Sequence, residues 1–221
     1  SYLLEVMAAM GFGQRWRDMV SIIFASSSSR VLLNGSPGAP FVHRRGLWQG
    51  DSVSPLLFIL AMEPLQRMLT MDTERAVLTP LRIRAARLRS SFYADDAALF
   101  INPVAQDFAA VHAILKVFGD ASGLRANIGK TVAYPLSCAE INVENILNDF
   151  GGILGSFPCQ YLGLPLGFRK PRRAELQPVL DKVAWKLAPR KGRLLNRMGR
   201  LVYINSVVTT TATFFLTVFP P

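Results

Sequence analysis

Tyr93-Ala94-Asp95-Asp96 places two adjacent carboxylates between two short apolar runs, inside residues 89–101. Side chains alternate faces along a strand, so neighbouring aspartates in a continuous strand point apart and cannot meet one ligand. A tight turn removes that obstacle. With 92–94 and 97–100 as antiparallel strands, Asp95 and Asp96 form the hairpin tip and both carboxylates face one edge. Two like charges held that close raise one pKa or demand a cation, and a hard divalent metal such as Mg²⁺ meets the demand with oxygen ligands. The same four residues also fit a plain acidic surface turn, because Asp is a common turn residue.

The elements that must position this hairpin surround it in the chain. Residues 2–10 carry apolar side chains at helical spacing (Leu3, Val6, Met7, Met10) closed by Gly11, and 13–25 repeat the period. The period then changes: 30–33 and 40–44 are short strand-like runs around Asn34-Gly35-Ser36-Pro37-Gly38, turn chemistry that predicts a hairpin. Next comes Arg45-Gly46-Leu47-Trp48-Gln49-Gly50-Asp51. Its glycines let backbone approach a ligand, Arg45 can hold phosphate, and Gln49 can hydrogen-bond a sugar or base edge. Ser54 is expected to cap the following helix, 55–69, which is apolar nearly all round and carries Pro55 in its first turn. Arg82, Arg84, Arg87 and Arg89 alternate with apolar residues and read as one solvated strand face. Residues 104–118 are amphipathic, with the helix expected to end at Gly119, and 122–131 read as a loop and short strand with Lys130 at its end.

Composition bounds the partners. The 221-residue, 50% hydrophobic chain can bury a real core, and its net charge of +10 points toward a polyanion. That charge is concentrated: residues 1–166 hold 14 basic and 13 acidic side chains, whereas 167–200 hold 11 basic and 2 acidic. Cys138 and Cys159 lack zinc spacing and are too few for a disulfide framework, so a reducing compartment is the default. Residues 201–219 carry no charge, but Asn205, Ser206 and several threonines argue against a membrane span. The start, Ser1-Tyr2-Leu3, has no signal-peptide pattern and reads as a piece of a larger polyprotein.

Taken in order, these motifs resemble the reverse transcriptases of non-LTR (LINE-type) retrotransposons, especially the kind abundant in plant genomes. Tyr93-Ala94-Asp95-Asp96 matches the family's Phe/Tyr-Ala-Asp-Asp signature. Arg45 to Asp51, then Ser54-Pro55-Leu56-Leu57-Phe58, is similar to its Arg-Gly-x-x-Gln-Gly-Asp…Ser-Pro-x-x-Phe segment. Ser122-Gly123-Leu124 with Asn127 and Lys130 resembles the segment after the catalytic hairpin, Tyr161-Leu162-Gly163 the hairpin that grips the primer end, and 193–206 the start of the thumb.

The resemblance implies an α+β fold: a partial polymerase palm, a small antiparallel sheet packed on helices, over 1–167, then a basic helical thumb start over 168–221. The catalytic hairpin would lie at 91–101 and the primer grip near 159–167. It implies two-metal transfer of a deoxynucleoside triphosphate to a DNA primer on an RNA template, with Mg²⁺, or Mn²⁺, held by Asp95 and, less directly, Asp96. It further implies that Arg45, Gly46, Gln49, Gly50 and Tyr93 face the nucleotide or template, that Lys130 donates a proton to pyrophosphate, and that Lys186, Arg190, Lys191 and Arg193 track the nucleic-acid backbone. Two departures weaken the expected nucleotide pocket: Trp48 stands where the family often has Arg, and Ser52 where Pro is usual. The family's first metal-binding aspartate, near a Phe-Asp pair, is expected upstream of this chain, which alone is then inactive. The competing reading is a decayed or co-opted remnant that binds nucleic acid without catalysis.

Overall fold

Apolar side chains three and four residues apart build the helices that carry the hairpin. A computed structural model of the 221-residue chain describes all residues except 45, 49, 82–88, 139–140, 170–171, 173, 175, 187–194, 211–212, 214–216 and 219–221, and the backbone alone at 149, 179, 182, 186 and 208. The chain divides into two units, Ser1–Thr131 with Cys138–Gly152 and Val132–Ser137 with Ile153–Pro221. The architecture is α+β, helices with small, mainly antiparallel two-stranded sheets.

In the first unit, α1 (Tyr2–Ala9) and α2 (Gln14–Ser26) lead into a ribbon of β1 (Ser28–Ser29), β2 (Leu32–Leu33), β3 (Ser36–Pro37) and β4 (Phe41–Val42). Asn34 and Gly35 turn the ribbon with φ of +49° and +83°, the left-handed pair that matches strand twist. The expected hairpin is therefore present. Its register shifts by one residue between the β2–β3 and β1–β4 ladders, so Gly38, Ala39 and Pro40 stand against only Arg30 and Val31, as in a bulge.

α3 (Ser54–Glu74) is the backbone of this unit. Leu57, Ala61, Leu65 and Leu69 are buried in one stripe, each leucine contributing about 2 kcal/mol. The helix is apolar nearly all round, which argues for burial, but Leu56 and Ile59 are each 62% exposed, because the neighbouring elements cover only the stripe of Leu57, Ala61, Leu65 and Leu69. Leu3 and Met7 of α1 and Val20 of α2 close over Leu57 and Ala61, and the Tyr2 hydroxyl donates to the Ala61 carbonyl at 2.9 Å. α4 (Ala105–Ser122) adds Val111, Ile114 and Phe118, with the Phe118 ring edge-on to Tyr2. α4 runs past the expected stop at Gly119 to a left-handed cap at Gly123. Gly119 serves close packing instead: a Cβ there would lie 3.2 Å from the Arg125 side chain folding back over it. α5 (Val143–Phe150) buries Leu147 and Phe150, the latter edge-on to Phe108.

The second unit pairs β7 (Val132–Ala133) in parallel with β8 (Ile153–Leu154), and β9 (Cys159–Tyr161) antiparallel with β10 (Leu164–Leu166). Tyr134, Phe157 and Phe168 stack in a row, with centroids 5.5 and 4.5 Å apart. α6 (Gln177–Lys186) and α7 (Arg197–Tyr203) follow, the latter continuing into a π-helical turn at Ile204–Thr209. Ser206, Thr210 and Thr213 donate their hydroxyls to carbonyls one turn back. No helix among the described residues is long and apolar enough to cross a membrane.

Candidate active site

β5 (Ser90–Tyr93) and β6 (Asp96–Leu99) form the antiparallel hairpin, in the register Ser90↔Leu99 to Tyr93↔Asp96. The two-residue turn is therefore Ala94-Asp95, one residue earlier than expected, and Asp96 opens the returning strand. The ladder extends to the Tyr93–Asp96 pair because that leaves the shortest loop, at the cost of a φ of +49° at Ala94. Alternation puts Ser90, Phe92, Ala97 and Leu99 on one face, where the Ser90 hydroxyl donates to Gln66 of α3. Tyr93 and Asp96 share the opposite face. Asp95 sits at the turn beside them, and both carboxylates are exposed. These are hard oxygen donors suited to a divalent cation, but they supply only two side chains. Among the described residues no group of three or more His, Cys, Asp or Glu comes together.

The hairpin is anchored by a buried polar network. Arg89, just before β5, is 7% exposed and Asp107 of α4 is 0% exposed, with Nη1 and Oδ2 3.8 Å apart. Arg89 also donates through Nε to Thr73 Oγ1 of α3 at 3.0 Å, and to the carbonyls of Thr79 and Phe100. Asp107 accepts from the Thr79 N–H at 3.1 Å and its hydroxyl at 2.8 Å, while the Asn102 amide donates to Thr79 and to the Pro80 carbonyl. Burial pushes the Arg89 pKa below the usual arginine value, and the Asp107 charge opposes that shift. Arg89 is thus no solvated strand residue; Arg82, Arg84 and Arg87 lie outside the described residues. The sequence carried one unread signal for this network: Asp107 stands in the first turn of an amphipathic helix.

Before α3, Gly46 and Gly50 adopt φ of +80° and +93°, and a Cβ at either meets nothing within 4 Å. Glycine is required there by backbone conformation, not by space. The Asp51 carboxylate accepts from the Ser54 N–H at 3.1 Å and its hydroxyl at 3.0 Å. Asp51, not Ser54, is the capping acceptor, because the helix already begins at Ser54. Arg45 and Gln49 lie outside the described residues. Lys130 is exposed at the end of a 3₁₀ turn, Ile128–Lys130, where a short strand was expected. In the second unit, Leu162 and Gly163 turn the β9–β10 hairpin with φ of +52° and +77°, and Tyr161 pairs with Leu164.

Residues 1–166 match the model of the family described as reverse transcriptase (RNA-dependent DNA polymerase). The chain belongs to that family. Across its whole length it is also 28% identical, over 226 aligned positions, to a Xenopus laevis protein named transposon TX1 uncharacterized 149 kDa protein. The chain spans 17% of that protein's length.

For a reverse transcriptase the geometry has a direct reading. Such enzymes generally use a divalent metal, a nucleic-acid template and deoxynucleoside triphosphates. Asp95 and Asp96 offer open oxygens on the hairpin, and Gly46 and Gly50 precede in the chain the helix that supports it. The first unit holds Tyr93, Asp95, Asp96, Gly46, Gly50 and Lys130; the second holds Tyr161, Leu162 and Gly163. Of the basic residues, Lys186 ends α6 with its backbone alone described, and Arg190, Lys191 and Arg193 lie outside the described residues.

Proposed function

We propose that this chain is the palm portion and thumb start of an RNA-directed DNA polymerase of a non-LTR retrotransposon, of the kind abundant in plant genomes, and that the isolated chain is not an active polymerase. The observation that carries the reading is the hairpin: two exposed carboxylates at Tyr93-Ala94-Asp95-Asp96, in a chain whose residues 1–166 match the family. In the reaction the DNA primer's 3′-hydroxyl attacks the α-phosphate of the incoming deoxynucleotide, the α–β phosphoanhydride bond breaks, and pyrophosphate leaves. Mg²⁺ or Mn²⁺, when bound, favours the deprotonated hydroxyl and offsets charge on the leaving group.

The chain's own residues bind and orient. Asp95 holds the metal most directly and Asp96 supports it. The backbone of Gly46 and Gly50, with Arg45, Gln49 and Tyr93, faces nucleotide and template. Lys130 gives a proton to the departing pyrophosphate, and the Tyr161-Leu162-Gly163 turn grips the primer end. Palm gives way to thumb near Phe168, where Lys186, Arg190, Lys191 and Arg193 follow the phosphates.

The donor count supports inactivity of the isolated chain: among the described residues no third His, Cys, Asp or Glu joins the two hairpin carboxylates, and two carboxylates do not complete a two-metal site. A further carboxylate, supplied by a larger polyprotein of which we propose this chain is part, would complete it. The same observation favours a second reading, a co-opted remnant that binds nucleic acid without catalysis.

Primer extension by the isolated chain on an RNA template with Mg²⁺ or Mn²⁺ is expected to give no product, and robust template-dependent synthesis would overturn the inactivity. Mn²⁺ titration followed by electron paramagnetic resonance tests the site itself. Asp95→Asn is expected to weaken binding more than Asp96→Asn, and unchanged binding in the double variant removes the metal role.

A further inference from the structure

Next to the glycine turn the first unit carries three aromatic rings that the metal hairpin does not use. Phe41 and His43 have ring centroids 5.4 Å apart at 57°, and His43 and Trp48 are again 5.4 Å apart at 42°. Aromatic clusters usually form to leave water, and this one does not. Phe41 is 50% exposed and Trp48 53% exposed. The run is nevertheless held in place from behind. The Ser29 hydroxyl and His43 Nε2 are 2.7 Å apart, Ser29 pairs with Phe41 across the ribbon, and the His43 N–H donates to the Ser27 carbonyl at 3.0 Å.

The ribbon that carries these rings holds no acidic residue, the next one along the chain being Asp51. Residues 19–50 contain no Asp or Glu, and Arg30 and Arg44 are exposed along the same ribbon. Fixed, open rings among cations form a surface for unpaired bases: every base has a π-face to stack, and the arginines meet the phosphates between them. Bases inside a duplex already stack on both sides and have no free face to offer. Trp48, standing where the resembling family often has Arg, supplies the third ring.

We infer that Phe41, His43 and Trp48 form a stacking platform for unpaired bases of a nucleic-acid strand. The inference rests on the polymerase reading and deepens it. It names the ribbon as the place where a single strand is held beside the Gly46–Gly50 turn before pairing. Stacking does not read the sugar, so ribose and deoxyribose strands bind the platform alike.

The test uses the 221-residue chain with Trp16→Phe and Trp185→Phe, which leaves Trp48 as its sole indole. Mixed-sequence RNA and DNA single strands of about a dozen nucleotides, a span within the range of such sites, and a blunt duplex of equal length are titrated in parallel. Binding is followed by anisotropy of a labelled strand and stacking by Trp48 emission. Both single strands are expected to quench Trp48, and the duplex to bind without quenching. Phe41→Leu is expected to cost about five-fold or more in single-strand affinity while leaving duplex affinity unchanged. The quenching readout needs no change in the platform, so a poorly folded Phe41→Leu chain, detected by circular dichroism, leaves it intact. Single strands that bind without quenching overturn the platform and leave the polymerase reading standing. Absence of binding to any nucleic acid at low salt overturns both. Trp48 emission that shifts with protein concentration alone shows the rings covered by a second copy and overturns the platform.

Discussion

Ala94 sets the direction in which the two carboxylates point. Its φ of +49° lies in the left-handed region, which costs a residue with a Cβ about 1 kcal/mol and costs glycine little. Ala94→Gly is therefore expected to leave stability unchanged or raise it by up to about 1 kcal/mol, while the β-branched Ala94→Val lowers it by more than about 1 kcal/mol, both read from urea midpoints. The residue types announced a turn here, since paired aspartates flanked by apolar strands have few other uses. They did not announce which pair closes it, because register depends on loop length, and so the tip was expected one residue late. Tyr2 shows the same limit of single-residue reading: its spacing marks a helix, but not that its hydroxyl reaches Ala61. Burial raises the Tyr2 pKa above the ordinary 10.0. The neutral phenol is thus favoured in the fold, and its contribution is complete below pH 10 and lost as pH climbs through the raised value. Thermal melts between pH 9 and about 11.5, a window bracketing the phenol titration, are expected to show a loss of melting temperature that Tyr2→Phe reduces.

At the scale of elements, the hairpin is placed by three segments meeting at Arg89: the end of α3 through Thr73, the following loop through Thr79, and α4 through Asp107. A buried guanidinium is tolerated only when its donors and charge are matched, and removing one member leaves the other buried and unpaired. Asp107→Ala is expected to destabilise the chain by about 3–5 kcal/mol in urea unfolding. A cycle with Arg89→Met should return a coupling of about 1–3 kcal/mol, and additive effects would show that the two act separately. In the sequence Arg89 is the last of four alternating arginines, a pattern identical to that of a solvated strand. The partners that bury it lie 10 and 18 positions on, at Thr79 on one side and Asp107 on the other, and no local period connects them. By contrast α3 and the Asn34-Gly35 turn were legible, because helix spacing and turn chemistry are local properties. The cap was half legible: Ser54 marks the helix start as its residue type suggests, but the capping acceptor is the Asp51 carboxylate three residues earlier.

Across the whole molecule, the order of the first elements followed from local patterns and the α+β class from the family resemblance, whereas nothing local marked the division into units. Composition marks where charge changes; it is blind to the β7–β8 pairing that draws residues 132–137 into the second unit. Charge itself makes the sharpest molecular-scale prediction. Residues 167–200 hold 11 basic and 2 acidic side chains, against near balance before them. Each phosphate neutralised by such a block releases counterions, so the logarithm of affinity falls with the logarithm of salt by about 0.9 per contact. Primer–template duplex is expected to bind this chain with a steep negative slope. Neutralising Lys186, Arg190, Lys191 and Arg193 together should reduce that slope by up to about 4 and weaken binding equally on unrelated sequences, because phosphates carry no base identity. Fluorescence anisotropy at a series of salt concentrations measures both. An unchanged slope in the four-site variant would move the electrostatic contact away from this block, and a sequence-dependent loss would mean that these side chains read bases.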